Sequence, residues 1–179
     1  MKNYYYLMAS VPSLDLRTAP AVSSEMFLNA ASDQLPPEEF IRLRMILSDE
    51  PDLTGNGAAE EYLRWDRAVR NALVKLRAQG SEAVRDCREG DAIPSASALA
   101  ALLYKTDSPL KAEQQWDAER WNYLENLKTG HYFDFDAVAV YALQLRLAER
   151  NASFREKEGE EQYSLLYKTV IGNESEIGV

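Results

Sequence analysis

The sequence predicts an all-α, single-domain bundle of about six to seven helices, with a short N-terminal segment that is either extended or helical. Three observations lead there. Apolar residues recur at three- and four-residue spacing along most of the 179-residue chain, as one face of a helix requires. Ser, Asp and Pro stand where helices would start, and Gly80 and Gly130 where two of them would stop. Alternating runs of β-branched and aromatic residues, the mark of strands, are almost absent.

The chain opens with Tyr4 to Val11, an apolar run ended by Pro12 and too short for periodicity to separate a strand from a buried helical turn. Ser23 or Ser24 is placed to cap a helix through about Gln34, with Glu25 near the positive end of its macrodipole. Pro36-Pro37-Glu38-Glu39 opens another helix, carrying Phe40, Leu43, Ile46 and Leu47; proline suits the first turn, where its missing donor is harmless. Ser48 to Gly57, with Pro51, Gly55 and Gly57, reads as a loop.

From Ala58 to Gln79 the pattern is strongly helical. Tyr62, Trp65, Val69, Leu73 and Leu76 fall on one stripe, and Gly80 supplies a left-handed stop. Ser95 is expected to cap the alanine-rich helix to Tyr104, and Ser108-Pro109 to start a helix that Gly130 closes. Asp134 or Asp136 would cap the next helix, which runs to about Phe154; a last helical segment carries Tyr163, Leu166, Tyr167 and Val170. The domain is expected over residues 1–171, with 172–179 a flexible tail.

The helix from Ala137 is apolar on two sides. Val138, Tyr141, Ala142, Leu145, Ala148 and Ala152 form one face; Val140, Leu143, Leu147 and Phe154 form a second, roughly opposite. All-round apolarity favours a helix central to its own bundle over one that offers a face to a partner.

Composition excludes several classes of function. Acidic residues outnumber basic ones 29 to 20, a net charge of −9, which lacks the basic footprint of a general nucleic-acid binder. One cysteine makes no internal disulfide, and one histidine leaves little for Cys/His metal or catalytic chemistry. The longest uncharged run, Ala92 to Tyr104, is 13 residues against the roughly 20 that a membrane helix needs. The expectation is a cytoplasmic chain that meets a membrane only through a complex.

No catalytic, cofactor-binding or metal-binding residue is assigned. His131, Asp134 and Asp136 lie close in sequence, but structural and catalytic metal sites normally take three or four protein ligands, and a helix cap explains the acids. Thr54-Gly55-Asn56-Gly57 lacks the spacing and the Lys-Ser/Thr of a phosphate loop. Cys87, between Arg85-Asp86 and Arg88, has no neighbouring histidine or nucleophile motif.

Two groups are candidates for protein contacts. Between Tyr62 and Arg77 there are five basic residues and one acid, with Arg64, Arg67 and Lys75 opposite the apolar stripe and Arg70 and Arg77 at its flanks. The bland reading is a solvated face; the functional one is a docking surface for an acidic partner. The second group is Trp116, Arg120 and Trp121, with Asp117 one turn before Arg120 and able to pair with it. The structural reading is an arginine tethered at the edge of the core; the functional one is an aromatic and arginine anchor for another protein.

Tyr4-Tyr5-Tyr6-Leu7-Met8-Ala9-Ser10-Val11-Pro12-Ser13-Leu14 and the run Phe133-Asp134-Phe135-Asp136 through Arg150 resemble an uncharacterised bacterial family encoded beside V-type ATPase subunits. That family is in turn similar to the C-type subunits of V/A-type ATPases (d-type in eukaryotic complexes), all-helical proteins that seat the central rotor shaft on the membrane proteolipid ring. Tyr141 and Leu145-Arg146 compare with a tyrosine and a Leu-Arg pair in the last helical unit of those proteins, at shorter spacing and without the intervening acids. The resemblance implies a non-catalytic subunit or assembly factor whose partners are the shaft and the ring. The alternatives are a free-standing helical adaptor, or a small carboxylate or metal enzyme built around His131, Asp134 and Asp136.

Overall fold

Every element in the computed structural model is helical, over the described residues 4–48, 51, 55–78 and 93–174, with side chains described as far as 155. Among these residues there are seven α-helices and no strand: α1 Tyr4–Ser10, α2 Ser24–Gln34, α3 Pro37–Ile46, α4 Ala58–Ala78, α5 Pro94–Tyr104, α6 Pro109–Lys128 and α7 Phe135–Glu174. The expectation of an all-α fold holds.

The N-terminal run is a helix, because Leu7 and Tyr4, one turn apart, both sink into the core while Tyr5 and Tyr6 stay outside. Ser23 caps α2 by accepting from the Met26 N–H at 3.2 Å. Ser24 is instead bound by Glu149 of α7, which accepts from its backbone N–H at 2.7 Å and from its hydroxyl. Pro37 opens α3 with Glu38 and Glu39 in the first turn.

Ser95 does not cap α5. The helix starts one residue earlier at Pro94, whose fixed φ and missing N–H suit that position, and Ile93 precedes it with no side-chain cap. Ser108 caps α6 through the Lys111 N–H, and Gly130 follows that helix with φ +94°. Asp134 accepts from the Ala137 N–H at 2.9 Å and so caps α7.

The expected break near Phe154 does not occur, and α7 continues as one 40-residue helix to Glu174. Arg155 to Gln162 has no apolar periodicity, yet its Glu, Lys, Arg and Gln are strong helix formers and only Gly159 opposes them. The helix also takes in Gly172, expected to begin the tail; residues 175–179 lie outside the described residues. So do Gly80, Cys87 and its arginines, and Thr54.

At 1.5 Å per residue α7 is about 60 Å long, nearly twice the span of α4 or α6. Its first half is the centre of the bundle. Both expected faces are covered there, Val138, Tyr141, Ala142, Leu145 and Ala148 on one side, Val140, Leu143 and Leu147 on the other. It packs on α1, α2, α3, α4 and α6. Phe154, assigned to the second face, is 51% exposed, with the Arg150 guanidinium 5.5 Å from its ring centroid. Helix α4 buries Tyr62, Trp65, Val69 and Leu73 as the stripe requires, and its main neighbour is α5. Helix α6 runs antiparallel to both α4 and α7, since Arg120 and Tyr123 meet Asp66 and Glu61, while Glu113 and Glu125 meet Arg150 and Gln144.

Candidate functional site

The six candidate contact residues fall into two sets. On α4, Arg64 is half-buried and its Nη1 donates to the Gly55 carbonyl at 2.5 Å, so it ties the preceding loop to the helix. Arg67 is half-buried and Lys75 exposed, and neither forms a hydrogen bond or ion pair among the described residues. Arg70, at the flank, is spent on Asp66, which accepts from its Nε at 3.0 Å and lies 2.8 Å from its Nη2. Lys75 therefore presents charge to solvent, with Arg67 part-covered about two turns earlier on α4.

The second set is mostly interior. Arg120 is 3% exposed. Its Nε donates to Asp66 Oδ1 at 2.7 Å and its Nη1 to Asp117 Oδ1 at 2.8 Å, the i,i+3 pair that the spacing predicts. Its guanidinium lies 3.9 Å from the centroid of Trp116, with Arg70 5.9 Å from the same ring. A buried guanidinium holds its charge only when paired, and two carboxylates and an indole face meet that condition. Burial alone would lower the Arg120 pKa; Asp66 and Asp117 outweigh it and raise the value. The same burial, together with Asp66, pushes the Tyr62 phenol well above its usual range. Trp121 is half-buried against the core. Arg120 thus fixes α4 to α6 and holds Trp116 in place, and reaches no surface itself.

The network extends to α7. Asn151 donates to Asp117 Oδ2 at 3.0 Å, and Arg150 lies 3.7 Å from Asp117 Oδ1 and donates to Glu113 at 2.9 Å. Sequence reasoning misses Asp66, Arg150 and Asn151. Of these only Asp66 carries a signal: it stands four residues after Tyr62 and three before Val69, a core-side position for a charge on α4.

His131, Asp134 and Asp136 do come together. His131 Nδ1 is 2.6 Å from Asp134 Oδ2 and 4.0 Å from Asp136 Oδ2. The hydrogen bond with Asp134 raises the His131 pKa. Partial burial works against ionisation of Asp134, but bonds from the Ala137 N–H and His131 lower its pKa overall. Both acids are engaged by backbone, Asp134 at the start of α7 and Asp136 at the start of α4, where its Oδ1 accepts from the Ala58 N–H at 3.0 Å. Next to them Glu60 is buried and paired to Arg42 at 2.6 Å. Among the described residues no group of three or more His, Cys, Asp or Glu is arranged to hold a metal ion. Nor is any helix there long and apolar enough to cross a membrane.

The residues compared with the rotor-socket proteins are structural here. Tyr141 is buried, donates to the Pro12 carbonyl at 3.0 Å, and burial raises its pKa to about 12. Leu145 is fully buried, and Arg146 donates to the Leu47 carbonyl.

Residues 81–173 match the model of a family described as Protein of unknown function (DUF2764). No curated protein and no solved structure matches the chain.

Proposed function

We propose that the chain, which belongs to the DUF2764 family, is a non-catalytic subunit or assembly factor of a V-type ATPase, of the C-type, linking the central rotor shaft to the membrane ring. One observation carries the reading. The two stretches that bear the resemblance, remote in sequence, pack together: Tyr141 donates to Pro12, and the Tyr5 ring lies 4.9 Å from that of Phe133. They are in contact with each other, rather than being two unrelated similarities. A continuous α7 of about 60 Å, tied through Asn151 to the Asp66–Arg120–Asp117 network that joins α4 to α6, suits an element that transmits force without chemistry of its own. In this reading Arg67 and Lys75 meet an acidic face of the partner, and Arg64 and Arg120 maintain the scaffold behind them.

The test is affinity purification at native expression followed by mass spectrometry of the intact complex. Shaft or ring subunits are expected, and Arg67→Glu with Lys75→Glu should reduce their recovery while the helical content stays unchanged. Recovery of no ATPase component overturns the assignment, and a partner of another class in their place would favour the free-standing adaptor.

A further inference from the structure

The loop ahead of α4 carries Gly55-Asn56-Gly57, part of the glycine-rich motif that matches no phosphate loop. Asn56 is exposed and lies outside any helix, and Gly57 is the last residue before Ala58 opens α4. Of the chain's eight asparagines, only Asn56 is followed by glycine. That order has a chemical consequence. An asparagine side-chain amide is open to attack by the backbone nitrogen of the next residue, and a glycine there has no Cβ to hinder the approach.

Both reacting groups are unengaged. Among the described residues the Asn56 side chain forms no hydrogen bond and the Gly57 N–H has no acceptor. Gly57 stands at a helix end, where N–H groups lack intrahelical partners, and the nearby Asp136 takes the Ala58 N–H instead.

The reaction consumes only water. The Gly57 nitrogen bonds to Asn56 Cγ, the bond from Cγ to the side-chain nitrogen breaks, and ammonia leaves with the Gly57 amide proton. Water then opens the succinimide at one of its two carbonyls. Breaking the new bond to Cγ leaves an aspartate at position 56. Breaking the original peptide bond leaves an isoaspartate, with the chain now running through the side chain.

The two products act differently on α4. The isoaspartyl chain is longer by one methylene, at a point where both flanks are closely packed. Arg64 donates to the Gly55 carbonyl at 2.5 Å, and a Cβ on Gly55 would stand 2.6 Å from Glu60 Oε1. A Cβ on Gly57 would stand 2.6 Å from Asp136 Oδ1 and 2.7 Å from Glu60 Oε2. Glu60 Oε2 is buried and has no hydrogen-bond partner, so a carboxylate added beside Gly57 meets an unscreened like charge. Moving Gly57 and Ala58 away from Asp136 relieves both the length and the charge, and breaks the bond between the starts of α4 and α7. An aspartate of ordinary linkage leaves the backbone as it was, and its charge suits a helix N-terminus.

We propose that Asn56–Gly57 is a self-modification site, where succinimide formation yields aspartate and isoaspartate, and that the isoaspartyl form releases the start of α4 from α7. It is a one-way change that needs no enzyme, and it does not depend on which complex the chain joins.

The experiment is incubation of the full chain at mildly alkaline pH, which favours the attacking amide anion, followed by peptide mass spectrometry with electron-transfer fragmentation to separate the two linkages. Residue 56 is expected to gain the amide-to-acid mass, in both linkages, ahead of every other asparagine. Asn56→Gln, whose longer side chain cannot close the same ring, should lose the conversion at this position. Hydrogen exchange on the separated isoforms should be faster from Ala58 to Glu61 in the isoaspartyl form. Asn56→Asp, freshly prepared, carries the charge without the altered linkage and should exchange like the parent. Conversion that occurs only after unfolding in urea overturns the site. An isoaspartyl form whose α4 start is as protected as the parent's overturns the release from α7. Neither result bears on the ATPase assignment, which is read from the native complex.

Discussion

Arg120 and Asp66, 54 residues apart, form a 2.7 Å ion pair sealed between α4 and α6, with side chains only 4% and 8% exposed. Removing the cation alone, as Arg120→Met, leaves Asp66 and Asp117 buried without their common partner. Such a loss costs about 3–5 kcal/mol. In a chain of this size it corresponds to a fall of roughly 10 °C in the thermal midpoint. Adding Asp66→Leu and Asp117→Leu to the same variant should restore much of the loss, because Arg70 and Arg150 are exposed enough to be solvated alone. Urea unfolding of the single and triple variants checks both statements. A single variant as stable as the parent would contradict the pairing.

Asp134 and Asp136 are two residues apart but serve different helices, which hydrogen exchange can separate. Asp136→Ala should speed exchange at the start of α4, where Ala58 loses its acceptor, and leave the first turn of α7 protected. Asp134→Ala should do the reverse, releasing Ala137. Each substitution is expected to cost about 1 kcal/mol, the usual value of a capping side chain.

The His131–Asp134 pair predicts a pH window. His131 has a raised pKa, so its stabilisation is complete below the unfolded value near 6.5 and is lost as pH rises through the folded value. Asp134 has a lowered pKa, so its share is present above the unfolded value near 3.8 and is lost as pH falls through the folded one. The pair thus contributes most between about pH 4 and 6.5, and its partial exposure limits it to at most about 1 kcal/mol. The chain has a single histidine, so one NMR titration of its ring reports the value without assignment. A pKa above 6.5 is expected, returning toward 6.5 in Asp134→Asn; a value below 6.5 would rule out the bond.

Two glycines should fail for different reasons. At Gly57 a Cβ would stand 2.6 Å from Asp136 Oδ1, 2.7 Å from Glu60 Oε2 and 2.9 Å from Arg42 Nη2. Asp136 Oδ1 is held by the Ala58 N–H, and Arg42 Nη2 by the other Glu60 oxygen, Oε1, so Gly57→Ala should disrupt the start of α4 and cost about 1–3 kcal/mol, as overpacking does. Gly130 has open space but φ +94°, so Gly130→Ala should cost about 1 kcal/mol from backbone strain alone. Unfolding midpoints compare the two. Gly130→Asn should recover part of the Gly130 loss, since Asn tolerates positive φ better than Ala.

Helix positions were largely legible from the sequence because capping and apolar spacing are local. Ser23, Ser108, Asp134 and the Tyr62–Leu73 stripe perform as their spacing implies. Boundaries failed where another local preference won. Pro94 outranked Ser95 as a start, and charged residues with high helix propensity carried α7 past Phe154 without an apolar face to announce them. The i,i+3 contact of Asp117 with Arg120 was readable for the same reason.

The sequence by itself determined that this protein is helical, that α7 runs through the middle of the bundle, and that Arg120 needs a carboxylate one turn away. Only the tertiary structure decided that Asp66 completes that pair, that Asp136 caps a different helix, and that Tyr5 and Phe133 share one exposed corner. The physical reason is range. Caps and stripes are set by neighbours within four residues, whereas these contacts join residues 54, 78 and 128 positions apart, whose meeting depends on how whole helices pack.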